Sequence, residues 1–305
     1  MDVSLRPDVA EEKGDRDMLT TDEVKLGLPK GRMNDGIMTL LKDAGIKLRI
    51  SERGYRPSMN LEGFQVKILK PQNIVEMLHA GSRDVGFAGL DWVQEKRADL
   101  VELLDTGMDP VKVVAAAPEK LLVEGALPSE HLVIASEYET LTRDWIKRKG
   151  IDATFVRSYG ATEVFPPEDA DCIVDNTATG STLRANQLAI VDTVMTSSTR
   201  VFANPKAMDN PIKRERIETF SMLLKSVLEA RSRVMIEVNV SADDLEKVVN
   251  ALPAMRDATI SSLRGDRGYA VKSAVPRDQL TTLIPEIKKN GGTDLVVTKL
   301  AQIVP

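Results

Sequence analysis

The chain has 305 residues, a formal net charge of −5 at pH 7, a pI near 5.4, one cysteine and two histidines. Its length allows two or three domains with buried cores. Its charge and composition exclude a broad basic nucleic-acid surface, a disulfide framework within one chain and a multi-histidine metal site. The lone Cys172 fits a reducing, cytoplasmic setting. No run of about 18 apolar residues marks a membrane span. The opening MDVSLRPDVAEEKGDRD is too polar for a secretory signal, and residues 1–20 read as a flexible tail.

Val24–Leu28 reads as a short strand. Pro29-Lys30-Gly31-Arg32 follows, then a helical pattern over Met33–Ala44 ended by Gly45. Lys30, Arg32 and the loop amides around Gly31 can meet an anion, or the two cations can simply be solvated. Arg53, Tyr55 and Arg56 share a loop that can stack a base and hold phosphate, or form a surface hairpin. Phe64–Leu69 alternates as a strand, ended by Lys70-Pro71, and Gln72–Ala80 is helical. Asp84–Leu90 is a strand that delivers Asp91 at its carboxyl end, where ligands gather in open α/β sheets. Asp91 can equally cap a helix over Trp92–Arg97. Val111–Ala117 is a buried strand bounded by Pro118.

The character then changes. Leu132–Ala135 and Thr154–Arg157 read as strands around a helix at Tyr138–Lys149. Ala161–Val164, with Glu163, opens a further junction. The most informative stretch is Asp171–Leu188, DCIVDNTATGSTLRANQL. Apolar Cys172-Ile173-Val174 runs into Asp175, then into Thr177-Ala178-Thr179-Gly180-Ser181-Thr182, with a helical pattern from Leu183. Small hydroxylated residues around a glycine expose backbone N–H groups to an anion. An acidic strand end before such a loop suits phosphoribosyl diphosphate (PRPP). The same pattern also serves an ordinary capped strand–helix turn. Without a lysine, the loop is not the GxxxxGK[ST] nucleotide loop.

Leu188–Met195 and Thr199–Ala203 read as strands returning to the first sheet. The order implies lobe I at 21–117 and 196–212 and an inserted lobe II at 118–195. Asn210–Ser232 reads as one helix, its 213–232 portion linking to the last domain. Residues 233–305 then give strand Val234–Val240, helix Asp243–Ala251, strands Thr259–Leu263 and Tyr269–Val275, helix Arg277–Asn290 and strand Asp294–Lys299. That is the βαββαβ order of a ferredoxin-like, ACT-like module.

On Glu163-Val164, Ile173-Val174-Asp175, Thr179–Leu183 and Asn186, with support from Leu28–Arg32, Asp84–Asp91 and Tyr138–Thr142, the chain resembles the long form of the ATP phosphoribosyltransferases from about residue 24 onward. Lys70 and Asn73 stand where that family usually has Arg and Asp. The resemblance implies an α/β fold with a two-lobed, periplasmic-binding-protein-like catalytic core and a C-terminal regulatory domain. It implies transfer of 5-phosphoribosyl from PRPP to N1 of ATP with Mg²⁺, the first step of histidine biosynthesis, in a homo-oligomer between dimer and hexamer. Thr177, Ala178, Thr179, Gly180, Ser181 and Thr182 would cradle the 5-phosphate. Asp175 would hold the ribose hydroxyls, and Glu163 would stand near the ribose. Lys30, Gly31, Arg32, Tyr55, Arg56, Lys70 and Asp91 would serve ATP and phosphate. Magnesium would ride mainly on substrate phosphates, with Asp175 the side chain nearest to hand. Histidine as effector would meet Asp257, Thr259 and Asp294. The rivals are a two-lobed solute-binding protein, a phosphoribosyltransferase acting on a free base, and a non-catalytic regulatory subunit.

Overall fold

The computed structural model describes residues 22–49, 54–253, 255, 257–265 and 267–304. The tail expected over 1–20 and Arg53 lie outside them. The described residues form two compact units, one of 22–38 with 46–221 and the other of 39–45 with 222–304.

The first unit is built on one eight-stranded sheet. Along the chain come β1 (Val24–Pro29), α1 (Arg32–Asp43), whose residues 39–43 belong to the second unit, the two-residue strands β2 (Leu48–Arg49) and β3 (Ser58–Met59), and β4 (Phe64–Leu69). Then come α2 (Pro71–His79), β5 (Val85–Gly89), α3 (Leu90–Glu95) and the long β6 (Val101–Pro118). The second half supplies β7 (Leu132–Ser136), α4 (Glu139–Lys149), β8 (Ala153–Arg157), β9 (Cys172–Thr177), α5 (Ser181–Ala185) and the long β10 (Leu188–Ala203). The sheet order is β4-β1-β5-β10-β6-β9-β7-β8. The outer trios β4-β1-β5 and β9-β7-β8 pair in parallel, while β10 and β6 run antiparallel to their neighbours.

Two expectations are corrected here. The strand expected at Val111–Ala117 is only the second half of β6, and the two strands expected at 188–195 and 199–203 are one strand, β10. Asp105, Gly107 and Asp109-Pro110 look like a turn in sequence. They are tolerated because β10 pairs alongside from Leu188 to Ala203 with repeated register shifts. Bulges let polar and positive-φ residues sit in a ladder without ending it. Val113–Ala117 is buried on both faces: Val113, Ala115 and Ala117 pack with Tyr138, Leu141 and Trp145, whereas Val114 and Ala116 pack with Ile173, Leu183 and Leu188. A both-sided run of small apolar residues is what a central strand requires.

α6 (Pro205–Asp209) and α7 (Pro211–Ser232) follow. Asn210 starts α7, its Oδ1 accepting from the Ile212 and Lys213 amides at 3.0 and 3.1 Å. Phe220 of α7 is fully buried against Phe64 and Phe87, and such burial contributes about 2–3 kcal/mol.

The second unit contains β11 (Arg233–Val240), α8 (Leu245–Ala251), β12 (Thr259–Ser262), β13 (Tyr269–Pro276), α9 (Leu280–Lys289) and β14 (Thr293–Lys299). Its antiparallel sheet runs β12-β13-β11-β14, the ferredoxin-like order expected from βαββαβ. Val234, Ile236, Val238 and Val240 alternate inward to meet Val248, Leu283 and Ile287. Among the described residues no helix is long and apolar enough to cross a membrane.

Candidate active site

The parallel strands β1 and β5 end at one cleft. Lys30 follows β1, its amide held by the Leu69 carbonyl at 2.8 Å, and Gly31 turns the chain at φ 83° into α1. Lys30 and Arg32 line the cleft with Pro71, Gly89, Asp91 and Trp92. Tyr138 and Asn176 line it as well, and β6 and β10 contribute Asp109, Val111 and Ser197–Thr199. The strand end at Asp91 therefore does face a polar cleft. The alternative role of Asp91 as a helix cap is corrected: Gly89 occupies the cap position of α3 and Asp91 lies in its first turn.

Asp91 is 5% exposed and fully partnered. Ser197 Oγ donates to its Oδ1 at 2.7 Å and the Tyr138 hydroxyl donates to its Oδ2 at 2.7 Å. Tyr138 in turn accepts from Asn176 Nδ2 at 3.0 Å, and its ring stacks on Trp92 with centroids 4.7 Å apart. Burial, followed by the charge of Asp91, pushes the Tyr138 hydroxyl far above its ordinary range, so it remains a donor at any working pH. Gly89 is required here, because a Cβ would stand 2.2 Å from Asp91 Oδ1. One turn on, Glu95 accepts from the Thr140 and Leu141 amides at 3.1 and 3.0 Å. It thereby satisfies two free amides of the first turn of α4. Burial raises the Glu95 pKa despite those bonds.

Asn176 joins this network to the loop. Its neighbours Asp175 and Thr177 end β9, and Thr177–Thr182 turn into α5. Gly180 adopts φ 72°, a left-handed geometry that favours glycine. Its amide donates to Thr177 Oγ1 at 2.8 Å, and Thr179 and Ser181 hydroxyls lie 3.0 Å apart. The loop is held in shape by its own side chains while Ala178, Thr179, Ser181 and Thr182 stay exposed. The helix expected from Leu183 is only five residues long and begins at Ser181. Its dipole is correspondingly small, so the donors the loop offers are its local hydroxyls and amides. Arg184 adds a cation that the sequence reading passed over. Its Nη1 lies 3.0 Å from where a Gly180 Cβ would be.

Asp175 is the unusual carboxylate. Burial raises its pKa to about 6, the Asn176 amide opposes that, and the negative charges of Glu137 and Glu163 add to it. Glu163 is thus brought to Asp175, from a short 3₁₀ turn at Thr162–Val164. Among the described residues no three His, Cys, Asp or Glu side chains converge as a metal site.

The other expected site residues scatter. Lys70 is exposed one residue before Pro71. Tyr55 is 63% exposed, and its carbonyl accepts from the Ile68 amide at 3.0 Å. Neither Tyr55 nor Arg56 lines the cleft. In the second unit Asp257 and Thr259 border a groove with Met235, Met255 and Lys272. Asp294 stands on the opposite outer strand, bonded to Asn239 Nδ2 at 3.1 Å, so one chain does not bring the three together.

Fold and site define a class: an α/β protein whose strand ends and hydroxyl-rich loop border one polar cleft. The family model for ATP phosphoribosyltransferase matches residues 70–226, and that for "HisG, C-terminal domain" matches 230–302. The chain is 37% identical over 273 residues to the ATP phosphoribosyltransferase of Chlorobaculum parvum, covering 88% of this chain and 93% of that one. It is 35% identical over 288 residues to that of Pelotomaculum thermopropionicum, covering 93% and 100%. The solved ATP phosphoribosyl transferase (HisG:HisZ) complex from Thermotoga maritima superposes with a TM-score of 0.60 at 29% identity, over 68% of this chain and 98% of that one. The chain belongs to the ATP phosphoribosyltransferase family.

Proposed function

We propose that this enzyme carries out its phosphoribosyl transfer in the cleft between Lys30 and Asn176, with PRPP on the Asp175–Thr182 loop and ATP toward Lys30, Arg32 and Asp91. In this reaction adenine N1 bonds to the anomeric carbon as the bond to diphosphate breaks, and the electron pair leaves with diphosphate. Negative charge grows on the leaving group and positive charge on the ribose, so catalysis rests on position and electrostatics. Thr179, Ser181, Thr182 and the loop amides hold the 5-phosphate. Asp175 accepts from the ribose hydroxyls, and the carboxylates of Asp175 and Glu163 together favour a cationic ribose. Lys30 and Arg32 neutralise phosphate oxygens. No nucleophilic side chain is required.

Magnesium bound with the substrates would supply further neutralisation of the diphosphate. The residues fit a metal held mainly by substrate phosphates and not by a protein-only cage, and Asp175, crowded by Glu137 and Glu163, is the side chain that would complete its shell. We assign 118–195 as the lobe carrying the PRPP loop and 21–117 with 196–212 as the other. We further assign histidine feedback to the second unit, on the groove at Asp257 and Thr259, in a homo-oligomer.

The observation that carries this reading is the exposed, hydroxyl-lined Thr177–Thr182 loop beginning at Asn176, whose side chain lines the Lys30 cleft. The test is diphosphate release on mixing protein, ATP, PRPP and Mg²⁺, with and without millimolar histidine. Release that histidine suppresses supports both assignments. Release that persists removes the histidine assignment, and no release with working controls overturns the catalytic roles.

A further inference from the structure

The opposite end of the same parallel strands carries a second concentration of positive charge that the cleft does not use. Arg83, just before β5, is 5% exposed, yet its Nε and Nη1 have no hydrogen-bond partner. A buried guanidinium with two of its nitrogens unpartnered is costly, even with the charge of Asp84 beside it. The adjacent Asp84 is committed elsewhere. Its Oδ1 accepts from Lys213 Nζ at 3.0 Å and its Oδ2 from the Lys25 amide at 2.7 Å.

Three further cations gather here. Lys25 and Lys67 lie on one face of the β1–β4 pair, Lys25 opposite Gln65 and Lys67 opposite Gly27. The Ile68 amide bonds to the Tyr55 carbonyl, which brings Arg56 beside Lys67. The Asp84 amide bonds to the Lys25 carbonyl at 2.9 Å, which brings Arg83 to Lys25. The groups feel one another: the charge of Arg83, then burial, then Arg56 and Lys25 lower the Lys67 pKa.

We propose that Arg83, Lys67, Lys25 and Arg56 form a second anion site, for a phosphate-bearing ligand, at the amino ends of β1 and β5. Strands rise about 3.3 Å per residue, so Lys25 lies roughly 16 Å from Lys30 and Arg83 roughly 20 Å from Gly89. Lys67, level with Gly27, is nearer, roughly 10 Å along the strand from Lys30, but none of the four cations lines the catalytic cleft. A phosphate group suits it because two charges and several acceptor oxygens can meet cations arriving from different strands, which one carboxylate does less well. Free phosphate and the phosphate of a nucleotide share this chemistry.

The test is calorimetric titration of the full chain with inorganic phosphate in a Gly180→Val background, which suppresses binding at the loop. Arg83→Met and Lys67→Met are then added separately. The expected result is saturable binding in Gly180→Val that weakens about tenfold or more with either addition. Displacement of that phosphate by adenosine monophosphate assigns the site to a nucleotide phosphate; failure to displace assigns it to free phosphate. Absent binding, or binding unchanged by both additions, overturns the proposal. Lys67 is half-buried, so Lys67→Met keeps the test alive if Arg83→Met fails to fold. Arg83→Met that folds should melt no lower than its parent in phosphate-free buffer. A drop of several degrees there would make Arg83 a structural residue and refute the site.

Discussion

The two walls of the cleft are built on opposite principles. Around Asp91 the polar groups are satisfied from within: Ser197 and Tyr138 bond to it in a buried network that Trp92 covers, and exposed Asn176 donates to Tyr138 at its rim. Around Asp175 the hydroxyls of Thr179, Ser181 and Thr182 are exposed, and burial, with the charges of Glu137 and Glu163, raises the Asp175 pKa to about 6. A closed network fixes geometry, and an open one waits for a ligand. The contrast separates a wall whose polar groups are already partnered from one whose hydroxyls are exposed to meet a ligand.

The largest expected effect lies on the open wall. Gly180→Val places a branched side chain at φ 72°, with its Cβ 3.0 Å from Arg184 Nη1. PRPP affinity and turnover should fall about 100-fold or more, on the scale of losing preorganised donors. Steady-state kinetics with varied PRPP reads this, and a near-normal KM would break the comparison.

Asp175→Asn comes next. Turnover should fall on the order of 10–100-fold, while the fold becomes more stable at pH 7. The folded pKa, raised to about 6 from an ordinary value of 3.8, makes the native state bind a proton more tightly than the unfolded chain. Asp175 therefore costs stability that is absent below the unfolded value, grows as pH rises to about 6, and is fully present above. The gain from Asn should be on the order of 1–2 kcal/mol at pH 7, after allowing for solvent screening, and should vanish near pH 4. Melting curves at the two pH values decide this, and an equal gain at both would show that Asp175 is not perturbed.

On the closed wall the signs reverse. Tyr138→Phe leaves buried Asp91 Oδ2 without its donor, a loss of about 1–3 kcal/mol, seen as a lower denaturation midpoint with PRPP affinity nearly unchanged. The smallest effect should come from Glu95→Gln. Its amide turns an N–H toward one of the two α4 amides, costing about 1 kcal/mol in the same assay. A selective loss of PRPP binding in either variant would erase the distinction between the walls.

The open wall was legible in sequence because it is local. Asp175, the hydroxylated loop and Gly180 fall within eight residues, and each residue type carries its own physical reason. The Lys30–Arg32 turn and the βαββαβ order were readable on the same ground. The closed wall was not. Asp91 meets Ser197 at a separation of 106 residues and Tyr138 at 47, distances at which neither periodicity nor spacing carries a signal. Polar residues hid the true length of β6, because pairing with β10 overrides local turn preference. Arg184 was missed because a cation behind a loop looks solvated until the backbone folds it back over Gly180. Arg83 likewise looks like a surface residue, and only its burial without partners sets it apart.

The central claim is that the Asp175–Thr182 loop is where PRPP binds. Amide hydrogen exchange on the full chain, with and without saturating PRPP and Mg²⁺, tests it directly. The account predicts strong new protection confined to the amides of Ala178–Leu183, with the already bonded Asp91 wall little changed. Protection elsewhere in the cleft, with the loop exchanging as freely as before, would contradict it.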